Sequence, residues 1–530
     1  MTDKVILSNG SALAAKYGAA GAKQVRRAVQ SLIAADARRQ LTSVYIELDD
    51  AAAMKKYGKA VVTNSASGQQ NKLAIDAVYR SLAPDYIVLL GAVDVIPHQS
   101  LANPLFKPAK PDDDPDRFVP SDLPYACETG YSTAIENFTG PTRVVGRLPD
   151  LTGGTDPSYL AGALESAAAA KPRPRADYEP YFSISADVWK KSTALSLNAI
   201  FGGDGDEQVC PPSVPPWSAA LLGRRSHFIN CHGAPRSPEF FGQKGQNYPV
   251  CLEAAQLNGK LTEGVVAAME CCYGAELYDV TKVKDHQPGI GNTYLANHAL
   301  GYLGSTTVAY GPDDSSDWAD TLCQYFLESV LGGASLGRAL LEARQKYIQA
   351  APTPLGPVDL KTLAQFLLLG DPSVQPVQPA PSQPLTKSVT ASLAHSKMFS
   401  SIVSGRGLRI ARRKDLITNG LALARTWPTI RTRTSSPPSA AMHAQLQKLA
   451  GEMGLKAPSM FTFKTSKTGA ATSRAGAQPK ALIAKQADVT AVHVMLDAAV
   501  PAKNGVQRAT AVVVREASGR IVSVHQGYAK

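Results

Sequence analysis

Two stretches decide the reading of this chain: Ser226-His-Phe-Ile-Asn-Cys-His-Gly233 and Val265-Val-Ala-Ala-Met-Glu-Cys-Cys-Tyr-Gly274. Each opens on an apolar run of strand length, and each closes on a reactive side chain followed within two residues by glycine. In an open parallel sheet, chemistry collects just beyond the carboxyl ends of the strands. A histidine at one strand end and a cysteine at another, His232 and Cys272, are the two parts of a thiolate–imidazole nucleophile. The glycines let backbone N–H groups reach a reacting carbonyl that a Cβ would obstruct. If the strands are neighbours their ends lie about 5 Å apart, or about 10 Å with one strand between them. Either spacing lets both side chains converge on one substrate carbonyl. A working nucleophile of this kind is expected to have a depressed thiol pKa and to react faster than other cysteines.

Outward from these stretches, short apolar runs alternate with helical patterns. Val5-Ile-Leu7, Val44-Tyr-Ile-Glu-Leu48, Tyr86-Ile-Val-Leu-Leu90, Tyr181-Phe-Ser-Ile184 and Thr306-Thr-Val-Ala-Tyr310 read as further strands. An Ala-rich stretch through Arg39 and the segments Gln70–Leu82, Thr293–Leu303 and Trp318–Leu331 read as helices. The expected fold is α/β, a mostly parallel sheet covered on both faces. A first α/β subdomain is expected over residues 1–155 and a second, carrying the histidine and cysteine, over 156–375.

The chain has 530 residues, 44% apolar and 19% charged, enough to bury several cores. No apolar run approaches the roughly 18 residues of a membrane span, and the N-terminus is too short in apolar residues for a secretory signal. Seven cysteines, a sparse and odd number, argue against a disulfide framework and predict a reducing, cytoplasmic setting. The net charge of +11 conceals an asymmetry: residues 376–530 carry 22 Lys+Arg against 5 Asp+Glu, which leaves the preceding part net acidic. Gln375-Pro-Val-Gln-Pro-Ala-Pro-Ser-Gln-Pro384 has linker composition, placing a linker at 376–384 and a basic C-terminal region at 385–530. In that region Met442–Met453 reads as helix, and Val489–Tyr528 alternates around a Lys503-Asn-Gly505 hairpin signal. The expectation there is a small α+β or partly disordered domain.

Several other chemistries compete poorly. Cys231, Cys251 and Cys323 read as small buried hydrophobes. Zinc at Cys231, His232, Cys271 and Cys272 lacks the usual two-to-four-residue ligand spacing. Asp112-Asp-Asp-Pro-Asp116 and Asp204-Gly-Asp-Glu207 lack a full calcium-loop sequence and read as solvated turns. Gly202-Gly-Asp-Gly205 lacks the Lys-Ser/Thr of a phosphate loop. No metal and no cofactor is expected.

Cys271-Cys272-Tyr-Gly274 and His232-Gly233 resemble the corresponding segments of the gingipain-like branch of the caspase-fold (clan CD) cysteine peptidases. In that branch the histidine precedes glycine at one strand end, and the cysteine sits at another in an Ala-Cys-x-Gly or Cys-x-x-Gly context. Further patches are similar, in the same order: Tyr86-Ile-Val-Leu-Leu-Gly-Ala-Val-Asp-Val-Ile-Pro97, Pro120-Ser-Asp-Leu-Pro-Tyr125, Val144-Val-Gly-Arg-Leu-Pro149 and Phe366-Leu-Leu-Leu-Gly-Asp-Pro-Ser373. The resemblance spans about residues 80–376. It implies a cysteine endopeptidase acting on protein or peptide substrates through an acyl-enzyme. Cys272 would attack, His232 would protonate the leaving amine, and the N–H groups of Gly233 and Cys272 would hold the oxyanion. Asp187 stands where the family has a supporting acid, and Trp318 where it walls the specificity pocket.

Asp313, Asp314 and Asp317, just before Trp318, would make that pocket acidic and favour Arg or Lys before the scissile bond; the plainer reading is a solvated loop capping the helix. The Arg406-Gly-Leu-Arg-Ile-Ala-Arg-Arg-Lys414 run then presents Arg406, Arg409, Arg412 and Arg413 as self-cleavage points, in a segment of exposed composition. The competing class is a non-catalytic caspase-fold adaptor whose basic region binds nucleic acid, a membrane or an acidic partner. Trp427, Phe461 and Phe463 among cations would serve base stacking, although no nucleic-acid signature is present.

Overall fold

The computed structural model describes residues 2–58, 60–109, 114–351, 354–379, 430–433, 439–452, 459–465, 491–501, 507–517 and 520–529. The chain forms two compact units, Met1–Ser400 and Ser401–Lys530. The strands of the first unit begin with β1 (Lys4–Ser8), β2 (Ser43–Glu47), β3 (Tyr86–Leu90), β4 (Gln99–Ala102), β5 (Phe118–Ser121) and β6 (Val144–Leu148). Next come β7 (Tyr181–Ala186), β8 (Glu207–Cys210), β9 (Ser226–Asn230), β10 (His232–Gly233), β11 (Glu239–Phe241) and β12 (Val250–Glu253). The last are β13 (Val266–Met269), β14 (Gly301–Ser305) and β15 (Phe366–Gly370).

Ten of them form one sheet in the order β2-β1-β3-β6-β15-β14-β13-β9-β7-β8. Strands from both sides of residue 155 thus share a single layer. β15 pairs parallel with β6 but antiparallel with β14, the one antiparallel junction in this sheet. The halves therefore run in opposite directions, and the carboxyl ends of β7, β9, β13 and β14 open on the edge opposite to those of β1 and β3. This is the expected caspase-like arrangement, a mostly parallel α/β sheet flanked by helices.

The eight inner strands are buried along their length, and alternate residues feed two cores on opposite faces. Phe228, Ala268 and Leu303 join one core with Val5, Val88 and Phe326; Ile229, Met269 and Tyr302 join the other with Ile184 and Leu369. Helix Trp318–Leu331 packs against both Leu336–Ala350 and Lys190–Phe201.

The short matching patches prove to be joints of this scaffold. Arg147 of β6, fully buried, donates through Nε and Nη2 to both carboxylate oxygens of Asp122 (2.8 and 2.6 Å) and through Nη1 to the carbonyls of Gly91 and Ile96. Three distant segments converge on one bidentate pair. Asp371 of the Gly-Asp-Pro-Ser segment accepts from buried Lys4 Nζ at 2.7 Å, and Asp36 lies 2.5 Å from the same nitrogen. The start of the proline-rich segment is also anchored, with Val377 buried and Arg173 N donating to Pro376 O at 2.8 Å.

Two elements differ from expectation. The strand placed at Thr306–Tyr310 lies at Gly301–Ser305, and the helix expected to run to Leu303 ends at Ala296. Glycine is a poor strand former, and its two copies here disguise the element; each is required by packing. A Cβ on Gly301 would stand 2.7 Å from Leu336, and one on Gly304 would stand 2.9 Å from Tyr302.

The second unit has a five-stranded antiparallel sheet with the strands Ile430–Arg433, Ser459–Thr465, Ala491–Pro501, Gln507–Ala517 and Arg520–Ala529 in chain order, and a helix over Ala440–Glu452. It is α+β. The hairpin residues Lys503–Gly505 lie outside the described residues, but the strands on either side pair antiparallel, Pro501 opposite Gln507. No helix among the described residues is long and apolar enough to cross a membrane.

Candidate active site

β9 and β13 are neighbours, with Ile229 opposite Met269, and Glu270 N donates to Ile229 O at 2.8 Å. The two sequence stretches therefore end side by side. Gly233 marks how close they come: a Cβ there would stand 1.8 Å from the Cys272 carbonyl oxygen and 2.9 Å from its carbon. Only glycine fits. Beyond β13 the chain turns sharply, with Gly274 N donating to Cys271 O at 3.2 Å and Tyr273 in the left-handed region at φ 55°.

The vicinal cysteines diverge. Cys271 Sγ is buried 3.7 Å from Ile229 O, whereas Cys272 Sγ is half-buried, 3.7 Å from Ala309 O beyond β14. All seven cysteines are free thiols, and Cys272 alone is not fully buried. Burial pushes the Cys272 thiol up, partly offset by the backbone of Ala309 and Gly233 and by the Lys361 charge, with Asp116 opposing. The depressed pKa expected of a thiolate is thus replaced by its opposite: the apolar setting favours the neutral thiol.

His232 opens β10, which pairs with β11 so that His232 faces Phe241. Its Nε2 lies 2.7 Å from Gln243 Oε1. The ring is clasped by Trp189, centroids 4.5 Å apart, and by Tyr248 at 5.4 Å. A buried charge cluster also acts on Cys272, through Lys361 and Asp116. Lys361 Nζ, fully buried, donates to Asp114 at 2.6 Å and Asp116 at 3.2 Å. Tyr310 OH donates to Asp114 at 2.7 Å, and Tyr273 OH and Val308 N donate to Asp116 at 2.8 Å. The β4–β5 hairpin delivers these carboxylates to the edge where β13 and β14 end. Asp114 and Asp116 are therefore ion-paired rather than solvated; Asp112 and Asp113 lie outside the described residues.

Next to Cys271 in the chain, Glu270 is buried, as is Asp320, and both Glu270 oxygens and Asp320 Oδ2 have no hydrogen-bond partner among the described residues. Asn230 Nδ2 donates to Asp320 Oδ1 at 3.1 Å. Burial and the neighbouring Asp320 hold the Glu270 carboxyl well above the usual range, and burial pushes Asp320 up to about 6. Two buried carboxyls this close each disfavour the charged form of the other.

The other expected residues lie as follows. Asp187 follows β7 and binds Lys190 at 2.9 Å, half-exposed, while Trp189 two residues on reaches the imidazole. Asp313, Asp314 and Asp317 are exposed. Trp318, at φ 47°, packs against the core at the start of its helix. In the Asp204–Glu207 turn, Asp206 pairs with Arg224 at 3.0 Å, and burial pushes Glu207 up to about 7. Among the described residues no group of three or more His, Cys, Asp or Glu is arranged to hold a metal ion. Arg406, Arg409, Arg412, Arg413 and Trp427 lie outside the described residues.

The family model described as Peptidase family C25 matches residues 248–377. No curated protein matches the chain. A solved structure titled "Structure of Protease" is similar at 14% identity and a TM-score of 0.44, covering 99% of this chain and 96% of that one. The matched residues hold Cys272, Lys361 and the Gly-Asp-Pro-Ser segment, and the match points to cysteine peptidase chemistry. Over residues 248–377, which hold Cys272 but not His232, this chain resembles the gingipain family of clan CD cysteine peptidases.

Proposed function

We propose that the chain is a cysteine endopeptidase in which Cys272 is the nucleophile and His232 its acid–base partner. The observation that carries this reading is the backbone contact of Gly233 with Cys272, which holds histidine and cysteine at adjoining strand ends. Because the thiol is neutral at rest, its proton moves to His232 as Sγ bonds to the substrate carbonyl carbon. The carbonyl oxygen, gaining charge, takes hydrogen bonds from the N–H groups of Gly233 and Cys272. The imidazolium then gives its proton to the departing amine, leaving a thioester. Water, deprotonated by His232, hydrolyses the thioester and restores the thiol.

In this reading residues 156–375 supply the dyad, and residues 1–155 complete the sheet and lend Asp114 and Asp116. The exposed Asp313, Asp314 and Asp317, just before Trp318 at the pocket wall, favour Arg or Lys before the scissile bond. Asp187 acts through the turn that sets Trp189 on the imidazole. The arginines at 406, 409, 412 and 413 are then substrates in cis, and the free thiols suit a cytoplasmic setting. The adaptor reading, with the basic region on nucleic acid or an acidic partner, draws on the raised Cys272 pKa.

Wild type and Cys272→Ala, incubated with a peptide library and then mapped for new termini, separate these readings. Hydrolysis and cuts at 406–413 that disappear with Cys272 support the peptidase. Hydrolysis that survives the substitution, or a wild type inert on every peptide, removes it.

A further inference from the structure

We infer that Gln243 sets the tautomer and orientation of His232, keeping the proton on Nε2 so that Nδ1 is the basic nitrogen. The inference deepens the proposed dyad and rests on it for its catalytic meaning, but the tautomer itself is a property of the folded chain. An amide can be flipped in a structure, so the hydrogen-bond network must decide which atom faces the ring. Here the amide nitrogen of Gln243 is engaged twice, donating to Gly245 O at 3.1 Å and to Tyr248 OH at 3.0 Å. Its two N–H bonds are thereby spent, and Oε1, an acceptor only, is the atom 2.7 Å from His232 Nε2. An acceptor at that distance requires a hydrogen on Nε2. In neutral imidazole the other nitrogen, Nδ1, then holds the lone pair.

The arrangement is built rather than incidental. Gln243 N donates to Cys210 O at 3.1 Å, and a Cβ on the preceding Gly242 would stand 2.2 Å from that same oxygen, so the loop is pressed onto the end of β8. The tight hairpin from Lys244 to Asn247, closed by bonds of 3.0 and 3.1 Å in the two directions, returns the chain to Tyr248. Tyr248 both accepts from Gln243 and flanks the imidazole. With Trp189 at 4.5 Å the ring has contacts from two aromatics and one amide. A neutral amide in this place, unlike a carboxylate, fixes the tautomer without adding a negative charge that would hold the imidazole protonated. That suits a partner that must accept a proton from a neutral thiol. Gln243 is a positioning residue, acting through His232.

The test is nitrogen-15 NMR on full-length protein labelled at histidine, with the His232 signals identified by their loss in His232→Ala. At a pH where the ring is neutral, wild type should show a protonated Nε2 and an unprotonated Nδ1 at full occupancy. Gln243→Leu should replace this by a mixture of tautomers, and Gln243→Glu, whose carboxylate can only accept, should restore Nε2–H. Peptide turnover measured on the same samples should fall about tenfold or more in Gln243→Leu through kcat, with KM little changed. In Gln243→Glu the acidic limb of the rate profile should move to higher pH. A wild-type ring protonated on Nδ1, or a tautomer unchanged in Gln243→Leu, overturns the inference even if Cys272-dependent hydrolysis is intact. The expected tautomers in a protein without peptidase activity would leave the inference standing and remove the dyad.

Discussion

Gly233 and Cys272 meet backbone to backbone, so close that any side chain at 233 would stand 1.8 Å from the cysteine carbonyl oxygen. The contact joins the histidine strand to the cysteine turn. Gly233→Ala should therefore cost about 1–3 kcal/mol of stability and abolish peptide turnover, while His232→Ala should lose turnover with little change in stability. Denaturant midpoints beside turnover rates check this. A stable, active Gly233→Ala protein would show that the strand ends are not locked together.

Cys272 lies in a setting that favours the neutral thiol, yet it is the one cysteine not fully buried. Alkylation by iodoacetamide should modify Cys272 first, and its rate should keep climbing as pH rises past the ordinary thiol range near 8.5. Site-resolved mass spectrometry over a pH series measures this. A plateau already reached below pH 7 would mean a preformed thiolate.

Glu270 holds its proton in the folded chain well above the pH at which an exposed glutamate loses it. A raised acid pKa contributes stability that is full below the unfolded value of about 4.3 and is lost as pH rises toward the folded value. Stability should therefore decline from pH 5 upward as this pair is forced to ionise. Glu270→Gln, which keeps the shape and removes the titration, should be more stable than wild type at pH 8 and show a flatter profile. Urea midpoints at several pH values decide it, and identical profiles for the two proteins would contradict the assignment.

The fold was legible where burial imposes a pattern. β9 and β13 read as unbroken apolar runs because both faces are covered, and the positions of His232 and Cys272 at their ends follow from that. β14 escaped because the contacts that demand glycine at 301 and 304 come from Leu336 and Tyr302, neither readable at the strand itself. The supporting cast escaped for a similar reason. Gln243 reaches His232 from a hairpin, and Lys361 reaches Asp114 across 247 residues, so neither carries a local signal. Asp187, which stands where the resembling family has a supporting acid, pairs with Lys190 at 2.9 Å, a contact within its own turn that its position in the sequence does not announce.

Lys361 is fully buried and answers both Asp114 and Asp116, which in turn accept from Tyr310, Tyr273 and Val308. Lys361→Met leaves two carboxylates facing each other and should cost about 3–5 kcal/mol. Adding Asp114→Asn to that variant should recover part of the loss, a coupling that a double-mutant cycle reads directly. Additive losses would mean that the lysine is not the cluster's counter-charge.

The central claim, that Cys272 attacks the substrate carbonyl, is tested most directly by trapping the covalent intermediate. Full-length protein is treated with a peptide electrophile carrying arginine or lysine at the reacting end, and the adduct is located by mass spectrometry of the digested chain. One adduct per chain, on Cys272, lost in Gly233→Ala and slowed in His232→Ala, is the result predicted here. An adduct on another residue, or peptide hydrolysis continuing in protein whose Cys272 is fully modified, would contradict it.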